Sequence, residues 1–183
     1  IKKTGVFSET WKRDIGVSGL AIESVDGANI SNVIVSGLVI TGVYMPLFVR
    51  LGNRGRKYAG TVAVLPPGSI SNISLNHIIG VAERPMGNII SGIEGRPIEN
   101  LKLFDISLTS VGGGLAEHLF LDVPKKEADY PEVTMFGKTM PSHGAYIRHV
   151  NVLTMSNVDF RYLNDDVRPA LILDKVEHAA VGN

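Results

Sequence analysis

One pattern recurs along the chain and leaves it few folds to choose from. ISNVIVSGLVI runs from Ile30 to Ile40, ISNISLNHIIG begins at Ile70, IENLKLFDISL at Ile98 and VNVLTMSNVDF at Val150. In each copy an apolar residue opens the segment and a turn-forming or polar pair follows. Apolar side chains then alternate, as Val33 and Val35, Ile73 and Leu75, Leu101 and Leu103, Leu153 and Met155. Alternation with a period of two is that of a strand, and strands that keep returning mark a repeat protein.

The residues before each copy repeat as well. LAIESVDGANI (from Leu20) and NIISGIEGRPI (from Asn88) align without a gap, and each sets a turn with Gly27 or Gly95 between two strands. PLFVRLG from Pro46, AYIRHV from Ala145 and ALILDKV from Ala170 are further copies of the first strand. Each unit is strand, turn, strand, return, with no helical stretch between units to make a βαβ crossover. Short apolar-lined strands stacked in this way predict an all-β chain folded as a right-handed parallel β-helix of about five coils.

Bulk properties narrow the function classes. A chain of 183 residues with 44% hydrophobic residues fits one domain with a continuous core. Lys plus Arg and Asp plus Glu are both 18, so no net field recruits nucleic acid or an anionic membrane. No apolar run has the length of a membrane-spanning helix. Cysteine is absent, which excludes disulfides and thiolate metal sites. The histidines His77, His118, His149 and His178 have no close ligand spacing, so neither a metal nor a cofactor is expected.

Two stretches depart from the repeat. Residues 1–17 carry Lys2, Lys3, Lys12 and Arg13 with Trp11, and read as a partial first coil or a cap with Trp11 as its lid. The longest interruption lies between Val111 and Gly144, where Tyr130, Met135 and Phe136 predict packing back onto the strands rather than disorder. At the other end VEHAAVGN stops inside a unit, so exposed solenoid ends are expected to pair two copies.

Aligning the repeats makes columns of side chains explicit. With Ile22, Val49, Ile90, Ile147 and Leu173 facing inward, the next residues face outward: Glu23, Arg50, Ser91, Arg148 and Asp174. Neighbouring strands lie ~4.8 Å apart, so these form a polar stripe. The stripe has two readings. It is a ladder of exposed ion pairs, Glu23 with Arg50 and Arg148 with Asp174, contributing little stability. Alternatively it is a groove for an extended hydroxyl- or carboxylate-bearing ligand, with Arg50 and Arg148 as forked donors. Asn53, Arg54 and Arg56 lie on the same side, and His149 adjoins Arg148. A second column, Asn32, Asn72 and Asn100, reads as stacked turn residues bonded along the stack.

The ordered segments GLAIESVDGANISNV, PLFVRLGNRGR, IISGIEGRPIENL, YPEVTMFG with HGAYIRHV, and RPALILD resemble the C-terminal half of glycoside hydrolase family 28. The similarity runs from about Gly19 onward and is closest to the bacterial polygalacturonase and rhamnogalacturonidase-like members. It implies a right-handed parallel β-helix, pectic oligosaccharide or polysaccharide as ligand, inverting hydrolysis in the intact family, and an extracellular or periplasmic location. Such hydrolysis needs one carboxyl group as acid and another as base. The aspartates of the family's Asn-x-Asp motif and Asp-Asp pair belong to coils that this chain does not contain. At the family's Arg-Ile-Lys position stand Ala21, Ile22 and Glu23.

Asp165 and Asp166 form an Asp-Asp pair in a loop, and His143 with Gly144 belongs to a different family segment, so neither supplies the missing groups. No catalytic residue is assigned. Substrate binding is assigned to Glu23, Arg50, Asn53, Arg54, Arg148 and His149. The sequence therefore supports a sugar-groove part of a pectin-active hydrolase, a non-catalytic carbohydrate-binding domain, or a self-associating structural module.

Overall fold

A computed structural model describes Ile1, Glu9, residues 16–57, Gly60 and residues 65–182. Trp11 and most of the 1–17 segment, for which a cap is expected, lie outside the described residues. The strands are β1 (Gly16–Ser24), β2 (Asn29–Leu51), β3 (Ser69–Ala82), β4 (Asn88–Ser91), β5 (Ile98–Gly112), β6 (Ala145–Asn164), β7 (Leu171–Val176) and β8 (Ala179–Gly182). The only described helical turns are two short 3-10 segments, Ala116–Phe120 and Val133–Phe136.

Why the repeat has its particular spacing is visible in β3. Its first four buried side chains are Ile70, Ile73, Leu75 and Ile78, a step of three, then two, then three. The longer steps span Asn72 and His77, which hold φ at +53° and +52°. One residue in the left-handed region turns the strand and takes up an extra position, so the next apolar side chain faces inward again. β5 repeats the rule with Ile98, Leu101, Leu103 and Ile106 around Asn100 and Asp105, at φ +55° and +51°. The asparagines are also bonded to each other: Asn72 Nδ2 donates to Asn32 Oδ1 at 3.1 Å and Asn100 Nδ2 to Asn72 Oδ1 at 2.8 Å.

These bends decide the architecture. All pairings between strands are parallel. The first part of β2 runs beside β3, from Asn29↔Ser69 to Val43↔Ala82, and its last part beside β4, from Phe48↔Ile89 to Arg50↔Ser91. Likewise β6 pairs with β4 along Ala145–Arg148 and with β5 from Val150 onward. The path β2, β3, β5, β6, β4 thus returns to β2, with β1 beside β2 and both β7 and β8 beside β6. The all-β expectation holds, but the right-handed β-helix does not: the sheet is a closed five-stranded parallel barrel instead of an open solenoid. Period-two patterning specifies parallel neighbours in register. It does not specify whether the path of pairing stays open.

Among the described residues, two apolar clusters fill the structure. The inner one takes Ile22, Val49, Ile90 and Ile147 together with the inward residues of β3, β5 and β6. The second lies outside the sheet, where Met45, Phe48, Ile89 and Tyr146 meet Val123, Val133, Phe136 and Met140 of the long connection between β5 and β6. That connection is therefore anchored by its own apolar residues, with Phe136 edge-on to Phe48 at 6.3 Å between ring centroids.

Candidate functional site

The inward column Ile22, Val49, Ile90, Ile147, Leu173 stands in register across β1, β2, β4, β6 and β7. The following residues, Glu23, Arg50, Ser91, Arg148 and Asp174, therefore also stand in register. Glu23 at the β1 end is exposed, but Arg50, Ser91 and Arg148 are buried, so the column is not an exposed stripe. Arg50 is 1% and Arg148 7% accessible, because the β5–β6 connection lies across them.

The arginines hold that connection by its backbone. Arg50 Nη2 donates to the carbonyls of Lys125 (2.8 Å) and Lys126 (3.0 Å), and Nη1 to Ser91 Oγ at 2.8 Å. Arg148 Nη2 donates to the Val123 carbonyl at 2.8 Å, while its Nε meets Asp174 Oδ2 at 2.7 Å. Tyr146 Oη donates to the same Asp174 oxygen at 2.6 Å. Burial raises the Tyr146 pKa, and the hydrogen bond to Asp174 adds to it. Of the two ion pairs in the ladder reading, Arg148–Asp174 is formed, whereas Glu23 and Arg50 make none. Burial lowers the Arg50 pKa to about 10, which leaves it a cation at neutral pH.

The other sequence candidates scatter. The Asn53 amide donates to the Glu127 carbonyl at 2.6 Å, a further tie to the connection. Arg54 grips the Asp26 carboxylate through Nε (3.0 Å) and Nη2, and lies over the Tyr130 ring at 5.4 Å. His149 is buried at a left-handed corner, φ +49°, and burial together with Lys175 and Arg148 lowers its pKa.

What remains open is a pocket of about 290 Å³ at the Glu23 end of the column, walled by Val17, Ala21 and Glu23 on β1 and by Tyr130, Glu132 and Val133 opposite. Desolvation raises the Glu23 pKa. Glu132 is held in place as the cap of the Val133–Phe136 turn, accepting from the Thr134 amide at 3.1 Å and from its hydroxyl. Sequence reasoning found Glu23 but assigned Tyr130 to packing and passed over Glu132. Their position opposite β1 is a tertiary fact, and the only local signal was an aromatic, a proline and a carboxylate in succession.

Asp166 has a structural role. With Arg168 it forms a fully buried ion pair, and it also accepts from the Gly114 amide at 3.0 Å. His143 meets the edge of Tyr162, with 5.2 Å between ring centroids, and burial lowers its pKa. Among the described residues no group of three or more His, Asp or Glu could hold a metal ion. None of the described helices is long and apolar enough to cross a membrane.

Comparison with known proteins returns no matching family model, no matching curated protein and no matching solved structure.

Proposed function

We propose that the chain is a non-catalytic carbohydrate-binding domain whose site is the pocket between Glu23 and Tyr130. The observation that carries this reading is the composition of that pocket. An aromatic ring, two carboxylates as hydroxyl acceptors and apolar walls from Val17, Ala21 and Val133 face one concavity of about 290 Å³. That is at the small end for ligand sites and suits one or two sugar rings. Tyr130 gives a partly exposed face for a ring to stack on, with Arg54 behind it.

The resemblance of the ordered segments to the end of a pectin-active hydrolase supports the choice of a glycan. In that setting the domain supplies sugar binding to a protein whose aspartates lie elsewhere. Hydrolysis is not included, because the Glu132 carboxylate already caps a helical turn and does not stand with Glu23 as a free acid and base pair.

Titration calorimetry with neutral and uronate-containing oligosaccharides tests the reading. Saturable binding is expected, reduced about tenfold or more in Tyr130→Ala, the loss of one stacked ring contact. Absence of saturable binding to either class would overturn it.

A further inference from the structure

The buried arginines carry an inference that is independent of the sugar pocket. Arg50 is among the least accessible side chains of the molecule, and no carboxylate among the described residues lies within ion-pair distance of it. Glu127 and Asp129 of the covering segment favour its charge only from a distance, so no direct partner offsets the desolvation of the guanidinium. Its hydrogen bonding is incomplete in an informative way. A guanidinium binds a carboxylate or phosphate side-on through Nε and one Nη together. In Arg50 the Nη2 of that fork is occupied by two backbone carbonyls, of Lys125 and Lys126, while Nε is buried without a partner. Arg148, two strands along in the same column, likewise has a buried Nη1 without a partner. Ser91 stands between them, its hydroxyl accepting from Arg50 Nη1 and donating to the Gly92 carbonyl at 3.0 Å.

What covers this cluster is a strap, residues 124–130, tied down at either end by buried Val123 and Val133. Between those anchors it is held by the Arg50 bonds, the Asn53 amide and a solvent-exposed Lys125–Glu94 bridge of 2.7 Å. The side chains of Lys125 and Lys126 are exposed, 58% and 44% accessible, and pair with Glu94 and Asp129. The strap's carbonyls thus occupy, with partial charges, a place suited to a full anionic one.

We infer that Arg50, Ser91 and Arg148 form a concealed oxyanion site, for a carboxylate or phosphate group, which the strap 124–130 covers and which an anion opens by displacing the Lys125 and Lys126 carbonyls. A bidentate oxyanion would satisfy Arg50 Nε and Nη2 at once and approach Arg148 Nη1. Charge-assisted bonds replace neutral ones, and the guanidinium gains a direct counter-charge beside the more distant Glu127 and Asp129.

The test follows the strap in the whole chain. Hydrogen exchange at the Asn53 amide and tryptic cleavage after Lys125 and Lys126 are measured with sodium malonate, with inorganic phosphate and with sodium chloride at equal ionic strength. A several-fold, saturable rise in malonate, phosphate or both is expected, and the arm that responds identifies the anion. Arg50→Lys keeps the charge but loses the fork, so the saturable rise should vanish. Glu94→Gln loosens the strap without touching the site and should lower the anion concentration at half response, which keeps the test decisive if Arg50→Lys fails to fold. No rise in either anion, an equal rise in chloride, a response retained in Arg50→Lys, or a half-response unmoved in Glu94→Gln overturns the inference.

Discussion

Val152 is the residue whose backbone disagrees with its side chain. It occupies the place in β6 that Asn100 occupies in β5, since Glu99 pairs with Asn151 and Leu101 with Leu153. Its φ is +60°, matching +58°, +53° and +55° at Asn32, Asn72 and Asn100. Asparagine tolerates that region because its short polar side chain bonds locally, whereas a β-branched residue is strained there by ~1 to 2 kcal/mol. Val152 is 40% accessible, so little burial offsets the strain. Val152→Asn should extend the asparagine ladder and remove the strain together. An increase of about 1 kcal/mol is expected, read as a melting temperature higher by roughly 2 to 4 °C. An unchanged or lower melting temperature would show that the valine's contacts outweigh its backbone cost.

At the scale of elements, the connections are held by buried polar side chains. Arg168 donates through Nη1 to the Pro85 carbonyl (2.8 Å), Thr139 Oγ1 (3.0 Å) and the Met140 carbonyl (2.9 Å), so three connections meet on one guanidinium. Asp166 balances it. Burial alone would raise the Asp166 pKa, but bonds from Arg168 and from the amides of Arg168 and Gly114 bring it down to about 2, from 3.8. A carboxyl depressed in the folded state adds stability above its unfolded pKa and loses it as pH falls through the folded one. Asp166 should therefore contribute about 2 kcal/mol that disappears between roughly pH 4 and pH 2. Denaturant unfolding at pH 7 should show Asp166→Asn less stable by about 3 kcal/mol, since it leaves Arg168 buried without its counter-charge. A variant as stable as the parent, or an equal acid transition in both, would show the pair to be dispensable. The sequence placed Asp165 and Asp166 in a loop, and they lie in one between β6 and β7. It could not reveal what Asp166 holds, since Gly114 lies across a connection of no repeating pattern. For the same reason the outward column was legible to the residue, from Glu23 to Asp174, while its burial was not. Register is written in the repeat, but the strap that covers Arg50 and Arg148 follows no period.

At the scale of the whole molecule, the repeat specified parallel strands, an apolar interior and turns such as those at Gly27 and Gly95, which hold φ at +90° and +73°. Closure was not written there, because β2 and β6 change neighbours at bends that leave the alternation of each segment intact. Closure removes free edges only for the five strands in the ring. β7 and β8 pair with β6 alone, and among the described residues their outer edges have no strand partner. Those edges carry accessible apolar side chains, Leu173 at 38% and Val181 at 57%, with Ala179 and Ala180 exposed between them and no buried residue in β8. An edge with unpaired backbone groups and apolar flanks favours a second copy of itself, most simply about a twofold axis that sets the two β7–β8 edges antiparallel. A dimer is therefore expected in sedimentation equilibrium at micromolar concentration. Val181→Lys should shift the chain to monomer, since a lysine on an exposed edge opposes strand pairing without disturbing a core that Val181 does not enter. A parent chain that sediments as a monomer, with exchange-protected amides along β7 and β8, would instead place another part of the protein over that edge.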